Sequence, residues 1–327
     1  MDVLLEPITR WELPLLGRQQ GQCGLERIDA EVPTLGKTQF VRVAHLEVIA
    51  DLEPTDRAPF EIAGQIAALD IASDGRAFLG LARGTWLGEV GIEQPRPITV
   101  LREAHEVISR LLAKDDRGFE GVHFRLARGA HLRYDPVRPD PPLLIGTWGP
   151  RTAALAGEIA DEVKIGGSAN PAMVEVMRTR IGVGTDRASR DVDDVRIVVG
   201  AVTVVDHDGE AARARARTEV AMYLAVVAEL DPTVEVPSKL IEQVRELVGL
   251  GDHGSAGELI EDDLLDRFAF AGTPDQVAEH AVELIEAGAG RVEFGTPHGL
   301  TDEGGVRLLA EEVLPRIRER RPGEPDA

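Results

Sequence analysis

The sequence predicts an α/β fold, a (β/α)8 TIM barrel of parallel strands surrounded by helices. Short apolar strands alternate with amphipathic helices over the whole length of 327 residues. The clearest example is residues 141–168, whose pattern predicts a strand, a glycine turn, a helix, a second turn and a strand, which is a parallel β-α-β unit. Because no linker-like shift in composition divides the chain, we expect a single domain over residues 1–320.

Seven segments are predicted to be strands because they are apolar or β-branched runs that end at glycine, proline or a charged residue. They are residues 3–6, 25–32, 76–82, 143–145, 162–165, 196–205 and 291–295. An eighth strand, the third in order, would have to fall at residues 46–52. The sequence there is short, so either this strand is extended behind a short helix or it is degraded. A small hairpin is expected to pair residues 119–126 with residues 132–134.

The helices are predicted from apolar residues at a spacing of three or four, with proline, threonine or asparagine near their starts. They are residues 11–22, 37–49, 59–73, 97–114, 151–160, 171–181, 208–230, 238–248, 256–265, 274–287 and 303–320. Three of them form a larger excursion at about residues 208–265, after the seventh strand. Residues 321–327 are polar and contain two prolines, so we expect a disordered tail.

The chain is strongly acidic, with 57 acidic against 36 basic residues and a formal charge of −21. This balance argues against nucleic acid as a partner, because nucleic-acid binding rests on Lys and Arg that neutralise phosphates. Nearly all the basic residues are Arg. An acidic surface with little Lys fits a halophilic source, and it fits equally GC-rich coding with ordinary acidic solubility; both remain open.

Membrane and metal sites are not indicated by the sequence. No apolar run approaches the roughly 18–20 residues that a membrane helix needs, and no basic region followed by an apolar segment begins the chain. The single cysteine, Cys23, excludes an internal disulfide and a cysteine metal cluster. None of the eight His has an acid-flanked partner at the spacing typical of zinc sites. We therefore expect a cytoplasmic protein without a metal.

Two glycine-rich loops follow neighbouring predicted strands and precede helices. Backbone N–H groups at a helix N-terminus attract phosphate or carboxylate, and glycine allows a ligand to approach closely. Glycine is also common in tight turns, so one such loop is a weak signal, but two adjacent loops favour an anionic cofactor tail. The candidate cofactor-binding residues are Gly146, Thr147, Trp148, Gly149, Arg151, Gly166, Gly167 and Ser168.

Three further polar residues follow predicted strands and are candidates for substrate binding. Arg83 could face an anionic substrate or cofactor, although pairing with a neighbouring acid is the commoner role for Arg in an acidic protein. Thr296 and His298 follow the last strand, where a lone His is more often structural than catalytic.

Glu6 ends the first predicted strand and is the catalytic candidate. In a barrel its carboxylate would lie at the C-terminal mouth, where desolvation raises a carboxyl pKa and allows the group to donate a proton. The alternative is an acid that caps the next helix or pairs with Arg.

Six segments of the sequence together carry a family likeness. They are FLGLARGTWLG (residues 78–88), LREAHEVISRLL (101–112), FEGVHFRL (119–126), PPLLIGTWGPRTAALAGEIADEVKIGG (141–167), FAFAGTPDQVAEHAVELIEAGAGRVEFGTPHG (268–299) and EEVLPRIRER (311–320). With these motifs the chain resembles the bacterial-luciferase-like superfamily of flavin- or F420-dependent oxidoreductases. Within that superfamily it is most similar to the F420-dependent methylenetetrahydromethanopterin reductases.

The resemblance implies a (β/α)8 barrel with a helical insertion after strand seven and coenzyme F420 across the barrel mouth. It places the phosphate tail near the loops after strands five and six, and it implies that Glu6 is the proton donor. The implied reaction is hydride transfer between the reduced deazaflavin and a methylene-tetrahydropterin, a step of one-carbon metabolism. The protein would contribute orientation and one proton.

Two other functions stay open at this stage. One is an FMN-dependent luciferase-like monooxygenase. The other is a barrel that has lost cofactor binding, since residues 51–56 are short and acidic where relatives have a full third strand. For either enzyme the expected partner is a small-molecule substrate, and a homodimer or higher homo-oligomer is expected.

Overall fold

The structure is a computed structural model that describes residues 58–84, 87, 91 and 93–320. The predicted strands at residues 3–6, 25–32 and 46–52, the two helices between them, Cys23 and the tail at 321–327 lie outside the described residues.

The described chain begins with helix α1 (Ala58–Ala72), strand β1 (Leu79–Ala82) and helix α2 (Pro97–Leu112). Strand β1 begins at Leu79 and not at residue 76 as predicted. The backbone N–H of Ala77 donates to the buried carboxylate of Asp70, 3.1 Å away, and so takes no part in strand pairing. Helix α2 has the amphipathic pattern that predicted it, with one apolar stripe buried and its charged face outside.

A two-stranded antiparallel hairpin follows, built from β2 (Phe119–Glu120) and β3 (Arg125–Leu126). The predicted pairing of residues 119–126 with 132–134 is wrong. The chain turns back within the first segment, where the N–H of Gly121 donates to the carbonyl of Phe124 over 2.9 Å.

The β-α-β unit predicted from the sequence is confirmed. It consists of β4 (Leu143–Gly146), α3 (Pro150–Ile159) and β5 (Glu162–Gly166). Helix α4 (Ala172–Ala188) runs farther than predicted, and the long β-branched strand β6 (Arg196–Val205) has the predicted bounds.

Four helices lie between β6 and the next strand, and we call them the insertion. They are α5 (Gly209–Val227), α6 (Ser238–Gly249), α7 (His253–Glu258) and α8 (Asp262–Phe268). The single helix predicted at residues 256–265 is wrong, because Asp252 caps one short helix through the N–H of Ser255 and an extended Glu261 begins another.

The last part of the described chain holds β7 (Ala269–Gly272), α9 (Pro274–Glu286), β8 (Arg291–Gly299), α10 (Asp302–Leu308) and α11 (Leu314–Arg320). One π-helical segment, Leu309–Val313, joins the last two helices. Thr273 caps α9 as predicted, in a reciprocal capping box with Gln276. Strand β7 was not predicted, and β8 extends four residues beyond the predicted end at residue 295.

Six of these strands form one parallel sheet, in the order β1, β4, β5, β6, with β7 and β8 both paired to β6. Strand β8 pairs with residues 198–205 of β6, whereas β5 pairs with 196–200 and β7 with 202–205. Since β8 lies along one edge of β6, β5 and β7 both lie along the other edge. Strand β5 is beside the first half of β6 and β7 is beside its second half. The parallel sheet with flanking helices confirms the predicted α/β fold.

The two faces of this sheet differ in chemistry. Alternate strand residues such as Leu143, Ile145, Val163 and Ile165 are buried against the helices in the main apolar core. The intervening positions, which carry Gly146, Glu162, Lys164 and Gly166, form the opposite face, called the inner face below. In the part of the chain that is described, no helix is both long and apolar enough to cross a bilayer.

The turn of the hairpin is held by one buried carboxylate on α2. Glu103 accepts hydrogen bonds from the backbone N–H groups of Val122 (2.8 Å), His123 (2.7 Å) and Phe124 (3.1 Å). Burial opposes ionisation of Glu103, but these three donors outweigh it and hold its pKa below the usual value. The charged carboxylate therefore stabilises the fold.

We predict that Glu103→Gln lowers the free energy of unfolding by about 1–3 kcal/mol at neutral pH. Because the folded-state pKa is depressed, this contribution is present above the unfolded pKa of about 4.3 and is lost as the pH falls through the folded-state value. Urea unfolding over a pH series checks this: the gap between variant and wild type should close in acid. Glu106→Gln on the same helix, where the carboxylate is 42% exposed and pairs with Arg110, is the control and should cost below about 0.5 kcal/mol. A gap for Glu103→Gln that persists unchanged in acid would contradict the assignment.

Candidate active site at the C-terminal edge of the sheet

The predicted site residues that the structure describes lie at one edge of the sheet. Because all six strands of the sheet are parallel, their C-terminal ends meet at that edge. Glu6, the predicted proton donor, lies outside the described residues, so its role stays a prediction.

The loop after β4 is braced by Trp148. Its indole N–H donates to the carbonyl of Gly166 over 2.8 Å, so it joins the two predicted glycine loops directly. Its own carbonyl accepts from the Arg180 guanidinium of α4 at 2.5 Å, and the N–H of Gly149 donates to the Thr147 hydroxyl at 3.0 Å. The ring also packs against both apolar clusters of the molecule. Trp148 thus positions the loops.

The loop after β5 uses its backbone donors internally. The N–H groups of Gly167 and Ser168 both point to the carbonyl of Gly200 on β6, at 2.7 and 3.3 Å. The Ser168 hydroxyl is fully buried and accepts from the N–H of Asn170. Gly167 has a φ of +82°, a left-handed conformation that favours glycine. Because both N–H groups already donate to Gly200, they are not available to a ligand. The loop therefore contributes its backbone conformation to the site and not hydrogen-bond donors.

A buried polar network ties this loop to the insertion. The Asn170 side-chain amide donates to Asp231 (2.9 Å) and Thr233 (2.7 Å), and its carbonyl accepts from Arg267 (3.0 Å) and from the N–H of Ala172 (3.1 Å). The Asn170 side chain thus accepts from the first residue of α4 and also anchors the insertion.

The N-terminus of α3 is the better anion site. Pro150 occupies its first turn, and no side chain caps its free N–H groups. Arg151 is exposed in that turn, and among the described residues neither its guanidinium nor the N–H of Thr152 has a hydrogen-bond partner. The helix dipole and the guanidinium both favour a phosphate or carboxylate here.

The three candidate substrate residues lie at two places along the edge. Arg83 is exposed directly after Ala82, which pairs with Gly146, so it lies beside the β4 loop. Thr296 is exposed near the end of β8, and His298 pairs with Val204 of β6. His298 has a φ of +77°, a strained conformation for a residue with a side chain.

Sequence analysis missed a feature of the inner face that runs across four strands. Gly80, Gly146, Gly166 and Gly200, one each on β1, β4, β5 and β6, lie on that face; we call them the glycine patch. A Cβ added at Gly80 or Gly166 would meet no described atom within 4 Å. At Gly146 it would meet only Ala82, at 3.3 Å. At Gly200 it would lie 3.2 Å from the Cβ of Glu293, so the patch offers bare backbone to a flat group at Gly80, Gly146 and Gly166 and is bounded at Gly200.

An ion pair borders the glycine patch and was also missed. The Lys164 ammonium lies 2.9 Å from the carboxylate of Glu293, and both side chains are largely buried. A charged residue in the middle of a short apolar strand was the available signal, because such a residue must face something other than the helical core.

The residues present fit a planar redox cofactor with an anionic tail. The glycine patch leaves room for the plane of a ring, and the α3 N-terminus with Arg151 offers positive potential to a phosphate. Among residues 58–320 that are described, no cluster of three His, Cys, Asp or Glu side chains is placed to hold a metal ion.

Comparison with known proteins shows the family to which the chain belongs. The model of the luciferase-like monooxygenase family matches residues 49–291. The chain is 30% identical to the 5,10-methylenetetrahydromethanopterin reductase of Methanopyrus kandleri, over 81% of each chain. It is 32% identical to the enzyme of the same name from Archaeoglobus fulgidus, again over 81% of each chain. It is also 30% identical to the F420-dependent glucose-6-phosphate dehydrogenase of Microbacterium testaceum, over 82% of this chain and 77% of the relative.

Solved structures show the same fold. The coenzyme F420-dependent tetrahydromethanopterin reductase from Methanopyrus kandleri superposes with a TM-score of 0.73 at 29% identity, over 81% of each chain. An F420-dependent secondary alcohol dehydrogenase superposes with a TM-score of 0.63 at 20% identity, over 80% of this chain and 75% of its own, and supports the fold alone. The chain therefore belongs to the luciferase-like monooxygenase family and is an enzyme of that family.

Proposed function

We propose that this protein is an F420-dependent oxidoreductase that transfers a hydride between the reduced deazaflavin and a methylene-tetrahydropterin, as a 5,10-methylenetetrahydromethanopterin reductase does. The observation that carries the proposal is the glycine patch beside the uncapped N-terminus of α3. Together they suit a flat ring that carries an anionic tail. The substrate class is taken from the relatives that are 30% and 32% identical to this chain.

Each part of the edge has a distinct task in this proposal. When bound, reduced F420 supplies the hydride and is itself oxidised. The glycine patch receives the ring, and Arg151 with the α3 N-terminus holds the tail. Trp148 keeps the β4 and β5 loops in register. Arg83 near one end of the described sheet, and Thr296 with His298 near the other, are the proposed substrate contacts, and Glu6 remains the proposed proton donor.

The test is the oxidation of reduced F420, followed by its absorbance, with methylenetetrahydromethanopterin as acceptor. We expect turnover that needs both compounds and yields the methyl-pterin. If reduced F420 is bound but is not oxidised in the presence of the pterin, the substrate assignment is wrong.

The same protein sample distinguishes two alternative functions. The matching family model is that of the luciferase-like monooxygenases, so an FMN-dependent monooxygenase is the second candidate. Oxygen consumption with reduced FMN would support that candidate. Failure to bind either cofactor would support a barrel that has lost cofactor binding.

Other properties of the protein are proposals as well. A homodimer or higher homo-oligomer stays a prediction. A single domain over residues 1–320 with the insertion at about 208–265, a cytoplasmic location and a halophilic source stay predictions. An activity optimum at low salt would argue against the halophilic source.

A further inference from the structure

The loop after β5, residues 167–170, is held by the insertion as well as by the sheet. The N–H of Ala169 donates to the carbonyl of Arg267 on α8 over 2.9 Å. A Cβ added at Gly167 would lie 3.2 Å from Cγ1 of Val227 on α5, so that helix packs directly against the loop. The insertion therefore contacts the loop from two of its helices.

The contacts between loop and insertion centre on the side-chain amide of Asn170, which is 1% exposed. Its NH2 group donates to the carboxylate of Asp231 at 2.9 Å and to the hydroxyl of Thr233 at 2.7 Å. Its oxygen accepts from the Arg267 guanidinium at 3.0 Å and from the N–H of Ala172 at 3.1 Å. An amide has two donor hydrogens and two lone pairs, so all four hydrogen-bonding positions of Asn170 are used.

Charges of opposite sign lie at the two ends of this amide. The Asp231 carboxylate faces the NH2 group and the Arg267 guanidinium faces the oxygen, so both hydrogen bonds are charge-assisted. Asp231 is 3% exposed, and within the described chain the donors to its carboxylate are Asn170 and the N–H and hydroxyl of Thr233. Losing the Asn170 donor would leave a buried carboxylate short of a partner, which is unfavourable.

The same loop begins at the glycine patch. Gly166 is the last residue of β5 and belongs to the patch, and Asn170 follows it four residues later. The N–H groups of Gly167 and Ser168 already donate to Gly200, so the loop serves a ligand through its backbone position. A contact that fixes this position therefore also shapes the Gly166 end of the patch.

We propose that Asn170 is a positioning residue for the cofactor ring, because it joins the β5 loop to Asp231 and Arg267 and so lets the insertion fix the Gly166 end of the glycine patch. This inference rests on the proposed function. It gives the insertion a task separate from holding the tail, which is assigned to the N-terminus of α3. Loosening the Asn170 contacts should therefore weaken binding of the ring and leave the contribution of the tail unchanged.

The experiment is fluorescence titration of the protein with F420 and with a deazaflavin that lacks the anionic tail. Asn170→Asp places a second carboxylate at the 2.9 Å contact with Asp231, and like charges repel. We expect it to weaken binding of both compounds by the same factor, about tenfold. Binding should not be abolished, because His280 of α9 still donates to the carbonyl of Ala169 at 2.7 Å.

An exchange of the two side chains supplies the rescue. In the double variant Asn170→Asp with Asp231→Asn, the amide at 231 donates to the carboxylate at 170. That carboxylate keeps Arg267 and the N–H of Ala172 as donors. Affinity for both compounds should return to within about threefold of wild type. If Asn170→Asp does not fold, Thr233→Val decides: it removes one hydroxyl at an exposed residue and should weaken both affinities by about threefold.

Arg213→Gln is the matched control within the insertion. Arg213 on α5 pairs with Asp262 at 2.9 Å and Asp266 at 2.8 Å on α8, and its hydrogen bonds within the described chain end on α8 and β7. Its loss should lower stability in urea unfolding, and both affinities should stay within about twofold of wild type.

The outcomes separate the two proposals. Wild-type affinities in Asn170→Asp would overturn the positioning role and leave the proposed function standing. The same holds for a double variant that recovers stability but not affinity, since Asn170 would then contact the ligand itself. An equal loss of affinity in Arg213→Gln would also overturn the role, because general loosening of the insertion would explain it. A wild-type protein that binds neither compound would overturn both proposals.

Discussion

Gly166→Val is expected to abolish F420 binding while the protein stays folded. Gly166 ends β5 in the middle of the glycine patch, and a Cβ placed there meets no described atom within 4 Å. Valine is favoured in strands, so we expect the free energy of unfolding to change by less than about 1 kcal/mol. The two γ-methyl groups would occupy the space proposed for the ring. We expect affinity to fall at least about 100-fold, or about 2.7 kcal/mol.

Two substitutions of different size at Gly166 test whether the added side chain itself blocks the cofactor. Gly166→Ala should weaken F420 binding less than valine does, because it adds only one methyl group. The matched control is Gly249→Ala, at the exposed end of α6, where an added Cβ also meets nothing within 4 Å. It should leave affinity unchanged. Equal affinities for wild type and Gly166→Val, measured by fluorescence titration, would place the ring elsewhere.

Gly184→Ala is expected to cost about 3 kcal/mol or more in free energy of unfolding. Helices α3 and α4 cross so closely that a Cβ at Gly184 would lie 1.8 Å from the carbonyl oxygen of Ala154. On the facing helix, a Cβ at Gly157 would lie 2.3 Å from the carbonyl of Ile181. Backbone atoms cannot move aside as a flexible side chain can, so overpacking here is at the upper end of its usual cost.

The matched control lies two residues earlier on the same helix. A Cβ at Gly182 meets nothing within 4 Å. Gly182→Ala should therefore stabilise the protein by about 0.5–1 kcal/mol, the usual gain from alanine in a helix interior. Urea unfolding of both variants should give changes of opposite sign. A small loss for Gly184→Ala would mean that the two helices separate easily.

The close crossing of α3 and α4 also affects the proposed anion site. Helix α3 carries the proposed anion site at its N-terminus, and Arg180 of α4 donates to the carbonyl of Trp148 just before that helix. In Gly184→Ala we therefore expect F420 affinity to fall together with stability. An affinity that survives the loss of stability would show that the N-terminus of α3 does not hold the tail.

Elements with strong local signals were predicted from the sequence with nearly correct bounds. The β-branched run of β6 and the capping threonine of α9, Thr273, need no information from elsewhere in the chain. The proline and glycines around α3 likewise predicted the β-α-β unit. The two predicted glycine loops do meet, through Trp148 and Gly166.

Features that depend on contacts between distant residues were missed. The hairpin closes early because Glu103, on α2, supplies the acceptor for three N–H groups of its turn. The glycine patch depends on strand register, which sets Gly80 and Gly200 on the same face although 120 residues separate them. No local pattern around either glycine indicates that placement.

Equilibrium titration of the purified protein with F420 and, separately, with FMN tests the central claim, that the glycine patch and the α3 N-terminus bind a deazaflavin cofactor. We predict saturable binding of F420, much weaker binding of FMN, and loss of F420 binding in Gly166→Val. Tighter binding of FMN than of F420, or no binding of F420, would contradict the claim.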